Sequence, residues 1–530
     1  MAEKRYRLGI DVGGTNTDVV ILDPDNSVVA AVKSPTTADV QGGIYSGIEK
    51  VLQDSKIDVT KISYVALGTT HATNAIIQRK ELSKVSVVRI CLPAGKGVPP
   101  LMDWPQDLVE AMGAEAYLVH GGYEYDGRPL AGKHLDQEEC LSVLNRIKAS
   151  RIESLAICSI FSPVNKDHEQ EFAKLARDVL GPEVAITLSS EIGSLGFIER
   201  ENSTVLNAAV VNVAKKAANG LREALNQFGI KTDVFFAQND GTLMSLDYAI
   251  RYPILTIGSG PTNSLRGAAY LTNEKDCIVV DIGGTSTDVG IMVKGFPRQS
   301  SIAVEVGGVL TNFRMPDLIS IGVGGGSIVR EENGEIKVGP DSVGYEITKK
   351  ALCFGGDVIT ATDVALASGI AHIDDPRCDL SRLASLDTTF VKRAMNKIIE
   401  LVSDACDRIK TSSKSLPVVL VGGGSILIPD RVPGMGKIIR PENFGCANAI
   451  GAATAEASGE VDTLWSLDNV SREEAINQAR KQAIDRAVQM GAEPDKTQVV
   501  DMEMVPLTYL PGNVVRIKSK AAGPLTITNT

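Results

Sequence analysis

Short apolar runs rich in β-branched residues recur along the chain, and glycine closes many of them. RLGI at 7–10, VVIL at 19–22, CIVV at 277–280 and PVVLV at 417–421 have the length and composition of buried strands. Further strands are predicted at 28–32, 64–67, 155–161, 233–237, 289–293, 498–505 and 514–518. Between them the apolar positions fall at helical spacing, as with Ile44, Ile48 and Val51 in a helix over 40–53. The same rhythm predicts helices over 72–78, 136–149, 167–180 and 259–269, and a long one from 189 to about 224. In the second half it predicts helices over 362–368, 387–410, 447–458 and 471–490. Residues 91–135 are rich in Gly and Pro and read as an irregular, β-rich loop region. Strand and helix in alternation indicate an α/β protein. The expected division is a lobe over 1–200, a second over 201–460 and a small α+β extension over 461–530.

One stretch occurs twice. DVGGTNTDVVI at 11–21 and DIGGTSTDVGI at 281–291 share eight of eleven residues without a gap, 270 residues apart. Each follows a strand-like run and leads into another, so each reads as a hairpin with a Gly-Gly-Thr-x-Thr turn. A weaker echo, VGGGSI, stands at 323–328 and at 421–426. Two related halves facing one another across a cleft are the simplest architecture that such a repeat predicts.

The chemistry of the turn follows from its residues. Successive backbone N–H groups in a glycine bend form a nest for an anion such as phosphate. The hydroxyls of Thr15 and Thr17, and of Thr285, Ser286 and Thr287, add neutral donors. Asp11 and Asp281 end their strands beside the nests, where a carboxylate repels phosphate unless a cation lies between; Mg²⁺ satisfies both. Asp18 and Asp288 are expected to orient the turns by hydrogen bonding.

Composition removes other classes. With 530 residues, two to four domains of about 150 residues are expected. Hydrophobic residues at 43% and charged ones at 22% exclude wholesale disorder. Lys plus Arg total 54 against 65 Asp plus Glu, and the net charge of −11 argues against a grip on nucleic acid or an anionic membrane. Aromatic residues at 5% offer few stacking faces for single-stranded nucleic acid. The longest uncharged window, 415–429, is too short to span a bilayer, and a strand pattern begins too early for a signal peptide. Eight cysteines without a C-x-x-C pair predict neither a disulfide framework nor a zinc ribbon, so a cytoplasmic protein is expected. The chain has no G-x-x-x-x-G-K-[ST] and no G-x-S-x-G, and no dinucleotide fingerprint with its acidic residue. Of five histidines, His71 in GTTHATN is the chief candidate for chemistry; its simpler reading is a helix N-terminal residue.

Over residues 5–460 the chain resembles the hydantoinase/oxoprolinase A family of the actin, sugar-kinase and Hsp70 superfamily. The resemblance rests on both D-x-G-G-T hairpins and on GTTHATNAI at 68–76, RENSTVLNA at 200–208 and SGPTNSLRGA at 259–268. IGVGGGSI at 321–328 and ITATDVALASG at 359–369 continue it. It implies a two-lobed actin-like ATPase, with duplicated ribonuclease H-like domains around a nucleotide cleft and the small C-terminal α+β extension. It implies that Gly13, Gly14, Thr15 and Asn16 form a first phosphate loop, and Gly283, Gly284, Thr285 and Ser286 a second. Gly422, Gly423 and Gly424 would receive the adenosine, and GVGGGS at 322–327 would belong to the inner cleft wall. Asp11 and Asp281 would be the catalytic, Mg²⁺-associated carboxylates, with Asp281 the preferred base or water-orienting group. The implied cofactors are ATP and Mg²⁺. The implied reaction opens a cyclic amide such as a hydantoin, 5-oxoproline or a lactam by phosphorylating its carbonyl oxygen. Thr69, Thr70, Asn74, Glu199 and Arg200 are the expected substrate contacts. A hydantoinase B-like or other partner subunit and a homo-oligomer are expected, with no nucleic acid and no membrane. A small-molecule kinase, a carboxylase subunit and an ATP-switched interaction protein are the alternatives. The chain departs from the family's Pro-Gly-Pro-x-Cys-Tyr-Gly stretch at 346–355, where Cys353 survives and its surroundings do not.

Overall fold

The computed structural model describes residues 5–527 apart from 14, 15, 36–39, 301, 302, 314 and 509. Two sheets repeat one topology. In the first, the strands run Val28–Pro35, Asn16–Leu22, Tyr6–Val12, Ile62–Thr69, Asp233–Ala237. In the second they run Leu318–Ile321, Thr287–Val293, Cys277–Ile282, Val418–Val421, Ile438–Ile439. In both, the third, second and first strands are antiparallel, and the fourth and fifth lie parallel to the first. The hairpins share one register, with Asp11 opposite Asp18 and Asp281 opposite Asp288. Helices cover both faces, so the strands are apolar on both sides: Leu8, Ile10, Val19 and Val20 are all fully buried.

The sheets divide the chain differently from the expected boundaries. Four more strands, Leu243–Ser245, Ala457–Ser466, Val514–Gly523 and Gln498–Pro506, widen the first sheet to nine. Residues 233–245 therefore belong with the first lobe rather than with 201–460, and the segment from 461 onward extends that lobe. The reason lies in a charged helix with one small face. Along Arg472–Gln489, Ala475, Ala479, Ala483 and Ala487 are fully buried at four-residue intervals. Opposite them a methyl at Gly459 would fall 2.1 Å from the Ala487 nitrogen, so the helix lies almost in backbone contact with its strand.

Between the fourth and fifth strands of the first sheet stands a parallel four-stranded unit, ordered Glu115–His120, Val85–Leu92, Ser154–Ser159, Ala185–Leu188. The region expected to be irregular thus contributes a strand, and also the Gln106–Met112 helix. Val85–Leu92 escapes a reading by pattern because Arg89 interrupts the apolar run. Arg89 is buried and answered by Glu201, at 2.6 and 2.7 Å. Glu201 stands on the long helix, which begins at Phe197 rather than 189 and runs to Gln227.

The lobes meet through two helices, Ser259–Thr272 against the second sheet and Ala447–Thr454 against the first hairpin. They cross where side chains vanish: a methyl at Gly267 would lie 1.8 Å from Ala447 O, and one at Gly451 1.9 Å from Asn263 O. Among the described residues, no helix is long and apolar enough to cross a membrane.

Candidate functional site

The helix crossing brings the two strand-end carboxylates together. Asn263 Nδ2 donates to Asp11 Oδ1 at 3.2 Å, while the next residue, Ser264, donates to Asp281. From the other bridging helix, Asn448 Nδ2 donates to Asp11 Oδ2 at 2.8 Å. Adjacent residues of one helix therefore reach the equivalent aspartates of both repeats, and each carboxylate feels the charge of the repeat opposite.

Each aspartate has room because its neighbour is glycine. Gly68, the penultimate residue of the fourth strand of the first sheet, is paired with Asp11, and a methyl there would lie 2.2 Å from Asp11 Oδ1. In the second sheet Asp281 is paired with Val421, and Gly422, one residue on, gives it room: a methyl there would lie 2.2 Å from Asp281 Oδ1. Gly422 also has φ of 80° and ψ of 156°, a conformation that glycine supplies.

Burial dominates the electrostatics. It pushes the Asp11 carboxyl up to about 7, helped by the charges of Asp18 and Asp281 against the Asn263 and Asn448 hydrogen bonds. Burial likewise raises Asp281 to about 6, with the Ser264 hydrogen bond working the other way and Asp288 adding to the rise. Two acids pushed toward neutrality, chiefly by burial, are a site short of positive charge. Asn263 Oδ1 is buried beside them without a hydrogen-bond partner among the described residues. These oxygens fit a hard cation such as Mg²⁺. Among the described residues, no group of three His, Cys, Asp or Glu side chains is placed to hold a metal, so the ligand's own oxygens would complete such a site.

The hairpin tips carry the next layer. Gly13 and Gly283 close their turns, their N–H groups donating to Asn16 O and Ser286 O at 3.0 and 2.9 Å. These two N–H groups are therefore already engaged within the turns. Gly284 and Thr285 are exposed at the second tip; Gly14 and Thr15, at the first, lie outside the described residues. GVGGGS at 322–327 forms a saddle under the second tip. Gly325 N and Gly326 N donate to Gly283 O and Gly284 O at 3.0 and 2.7 Å, and a methyl at Gly324 would lie 2.7 Å from Thr285 N. Beside it, Gly423 faces open space in the second GGGS loop, and Ser425 Oγ is buried without a partner among the described residues.

The partners that Asp18 and Asp288 find among the described residues lie outside the turns. Asp18 pairs with Lys33 at 2.8 Å, and Asp288 accepts from Ser320. Thr69 and Thr70 stand at the strand end beside Asp11, but their hydroxyls are engaged: Thr69 with the His71 ring, and Thr70 with Val12 O at 3.3 Å. Asn74 is exposed and within 3.4 Å of Thr70 Oγ1. His71 opens its helix, and burial keeps its ring below the usual histidine range. Arg200 is not in the cleft. It is fully buried and donates to Ser189 Oγ and to the carbonyls of Ser159, Ser194, Leu195 and Gly196. Glu199 sits with it at the start of the long helix, away from the carboxylates. The buried ion pair on that helix is Arg89–Glu201. The sequence reading missed Gly68, Asn263, Ser264 and Asn448. Three of them lie in motifs already quoted, and only the helix crossing shows what they touch.

Residues 7–180 match the hydantoinase/oxoprolinase N-terminal region, and residues 200–400 match hydantoinase/oxoprolinase. The chain is 25% identical to 5-oxoprolinase 1 of Arabidopsis thaliana over 70% of its own length and 32% of that protein's. It is 25% identical to the acetophenone carboxylase gamma subunit of Aromatoleum aromaticum over 69% of its length and 53% of that subunit's. The chain therefore spans between a third and about half of these relatives. The crystal structure of the ATP-dependent caprolactamase from Pseudomonas jessenii superposes with a TM-score of 0.73 at 19% identity, covering 98% of this chain and 88% of that one.

Proposed function

The chain belongs to the hydantoinase/oxoprolinase family, and from that premise we propose that it is the ATP-using part of an enzyme that opens a cyclic amide. The observation that supports this most is the convergence of Asp11 and Asp281 through Asn263 and Ser264. An unstrained cyclic amide resists water because nitrogen donates into its carbonyl. In the proposed reaction the carbonyl oxygen attacks the γ-phosphorus, an O–P bond forms, and the bond to ADP breaks. Water then adds to the activated carbon, the C–N bond opens as nitrogen takes a proton, and a second water hydrolyses the acyl phosphate so formed, releasing phosphate and the carboxylate.

The chain's own groups divide this work. Backbone N–H groups at the hairpin tips hold phosphate oxygens, and Gly423, with open space beside it, leaves room for the nucleoside, while Gly422 and Gly424 pack against the second hairpin. Mg²⁺ held by Asp11 and Asp281 would neutralise the phosphates. Asp281, next to the end of its strand, would also orient or deprotonate the water. Thr70 and Asn74, on the rim beside Asp11, face the transferring phosphoryl end.

The test is ATP turnover by purified protein with hydantoin, 5-oxoproline, δ-valerolactam and a simple ketone, with and without candidate partner chains. Stimulation by an amide, with free phosphate released, is expected. A stable phosphorylated product would make the protein a kinase, and rates indifferent to every compound would make it a nucleotide switch; either result overturns the proposal. The likeness to a carboxylase subunit favours one second reading, phosphorylation of a ketone oxygen, which stimulation by the ketone alone would identify.

A further inference from the structure

All eight cysteines lie among the described residues as free thiols; seven are buried, and Cys378 alone is partly exposed. It stands in residues 371–379, which form neither helix nor strand, between the Ala361–Ala367 helix and a short helical turn over Leu380–Ser385. Against it lies Cys353, fully buried in a small apolar cluster with Ala351, Leu366 and Leu383. The two segments are one hydrogen bond apart. Asp379 N donates to Cys353 O at 2.8 Å, which holds the α-carbons of Cys353 and Cys378 within the span that a disulfide bridges. The Cys378 thiol is also within hydrogen-bonding reach of the Cys353 thiol.

The other neighbour of Cys353 is Asp363. Its Oδ1 accepts from Cys353 N at 2.8 Å, and its Oδ2 from Thr360 N and Oγ1 at 2.8 and 2.7 Å. Burial, and then this carboxylate, which also accepts from the thiol, push Cys353 well above the usual cysteine range. A buried thiol that keeps its proton is a poor nucleophile, so Cys378 is the one that a dissolved oxidant meets first. Asp363 also leads back to the hairpins. It closes the capping box of the Ala361–Ala367 helix, and the residue before it, Thr362, donates from N and Oγ1 to Gly325 O at 3.0 and 2.8 Å. Gly325 N in turn donates to Gly283 O at 3.0 Å. The cysteine pair and the second hairpin therefore share the start of one short helix.

We propose that Cys378 and Cys353 are a reversible modification site, joined as a disulfide by a hydroperoxide, and that the disulfide weakens nucleotide binding at the second hairpin. In the first step the Cys378 sulfur attacks the peroxide O–O bond and becomes a sulfenic acid, and its thiol proton goes to the departing oxygen, which leaves as an alcohol, or as water from hydrogen peroxide. In the second, the Cys353 sulfur attacks the sulfenic sulfur, its proton leaves with the hydroxyl as water, and the S–S bond forms. The two thiols together lose two electrons, which the peroxide gains. The disulfide removes the thiol that Asp363 holds, so the helix start that carries Thr362 and the saddle loses one of its anchors. The site is independent of the compound that the enzyme opens, and it rests on the ATP reading above only for its nucleotide.

The experiment treats the reduced full chain with hydrogen peroxide, counts thiols after denaturation, maps the joined peptides and measures ADP binding by calorimetry. Thiols should fall from eight to six, with Cys353 joined to Cys378. ADP should bind roughly 5–150-fold more weakly, the usual range of coupling between two sites, and dithiothreitol should reverse both changes. Cys378→Ser should keep its seven thiols and its ADP affinity under the same peroxide. Cys353→Ser should accumulate a sulfenic acid at Cys378 that dimedone captures; if that variant does not fold, Cys378→Ser alone decides. No loss of thiols, a bond between other cysteines, or the same loss in Cys378→Ser as in the unaltered chain overturns the site. A chain that forms the bond and binds ADP as tightly as before overturns its link to the hairpin. A reduced chain that binds no nucleotide removes the ATP reading, while the thiol count still judges the cysteine pair.

Discussion

The two hairpins share sequence, register and a glycine beside the carboxylate, yet their surroundings differ. Asp11 is 4% exposed and clasped by amides from both bridging helices, whereas Asp281 is partly exposed and takes one hydroxyl, from Ser264. Behind them, among the described residues, Asp18 has a cation, Lys33, and Asp288 has the Ser320 hydroxyl. The second hairpin also rests on the 322–327 saddle. A repeated motif has thus been given two roles by its neighbours: the first aspartate is held, and the second faces the cleft.

The largest test of that asymmetry is catalytic. Asp281→Asn should lower kcat by roughly 10²–10⁴-fold, while Asp11→Asn should act mainly by raising the Mg²⁺ concentration needed for half-maximal turnover. Equal losses of kcat in steady-state assays would dissolve the distinction.

Titration tests the same contrast without turnover. The Asp11 carboxyl rises from 3.8 to about 7 on folding. Between these values the folded chain binds more protons than the unfolded one, so its stability falls as pH rises from about 4 to 7. At roughly 1.4 kcal/mol per unit, the loss amounts to about 4 kcal/mol. Asp11→Asn should flatten this slope in urea unfolding without nucleotide, and Asp281→Asn should flatten it less. An unchanged slope in Asp11→Asn would place the protons elsewhere.

The paired glycines come next. Gly68→Ala should cost about 1–3 kcal/mol by crowding Asp11, and Gly422→Ala about 1–3 kcal/mol more for its backbone conformation. Urea midpoints compare them, and a milder Gly422→Ala would break the expected order. The smallest effects lie behind the carboxylates. Lys33→Met should cost about 1–2 kcal/mol by leaving Asp18 unanswered, the partial exposure of Lys33 having screened the pair. Ser320→Ala should cost about 1 kcal/mol or less. If the two prove equal in thermal unfolding, the differing partners of Asp18 and Asp288 carry no energetic meaning.

Much of this was legible from local pattern. The hairpins, the helices at 167–180 and 387–410 and the strand at 233–237 follow from apolar period and glycine placement, and they stand within a residue or two of where the pattern puts them. The misses share a cause. Val85–Leu92 is a strand because a glutamate 112 positions later neutralises Arg89. Arg200 looked like a cleft residue because its motif is polar, although its donors all find partners within the fold. The C-terminal segment read as a separate extension because a stripe of alanine is almost silent in hydropathy.

The amino-acid order by itself determined that one glycine hairpin is built twice with an aspartate at each strand end, since period and backbone conformation are properties of a few consecutive residues. Only the tertiary structure decided that these aspartates meet, that their partners are Asn263, Ser264 and Asn448, and that the last seventy residues complete the first sheet. Those outcomes depend on close approach between segments hundreds of residues apart, through glycine and alanine surfaces whose partners no local pattern names.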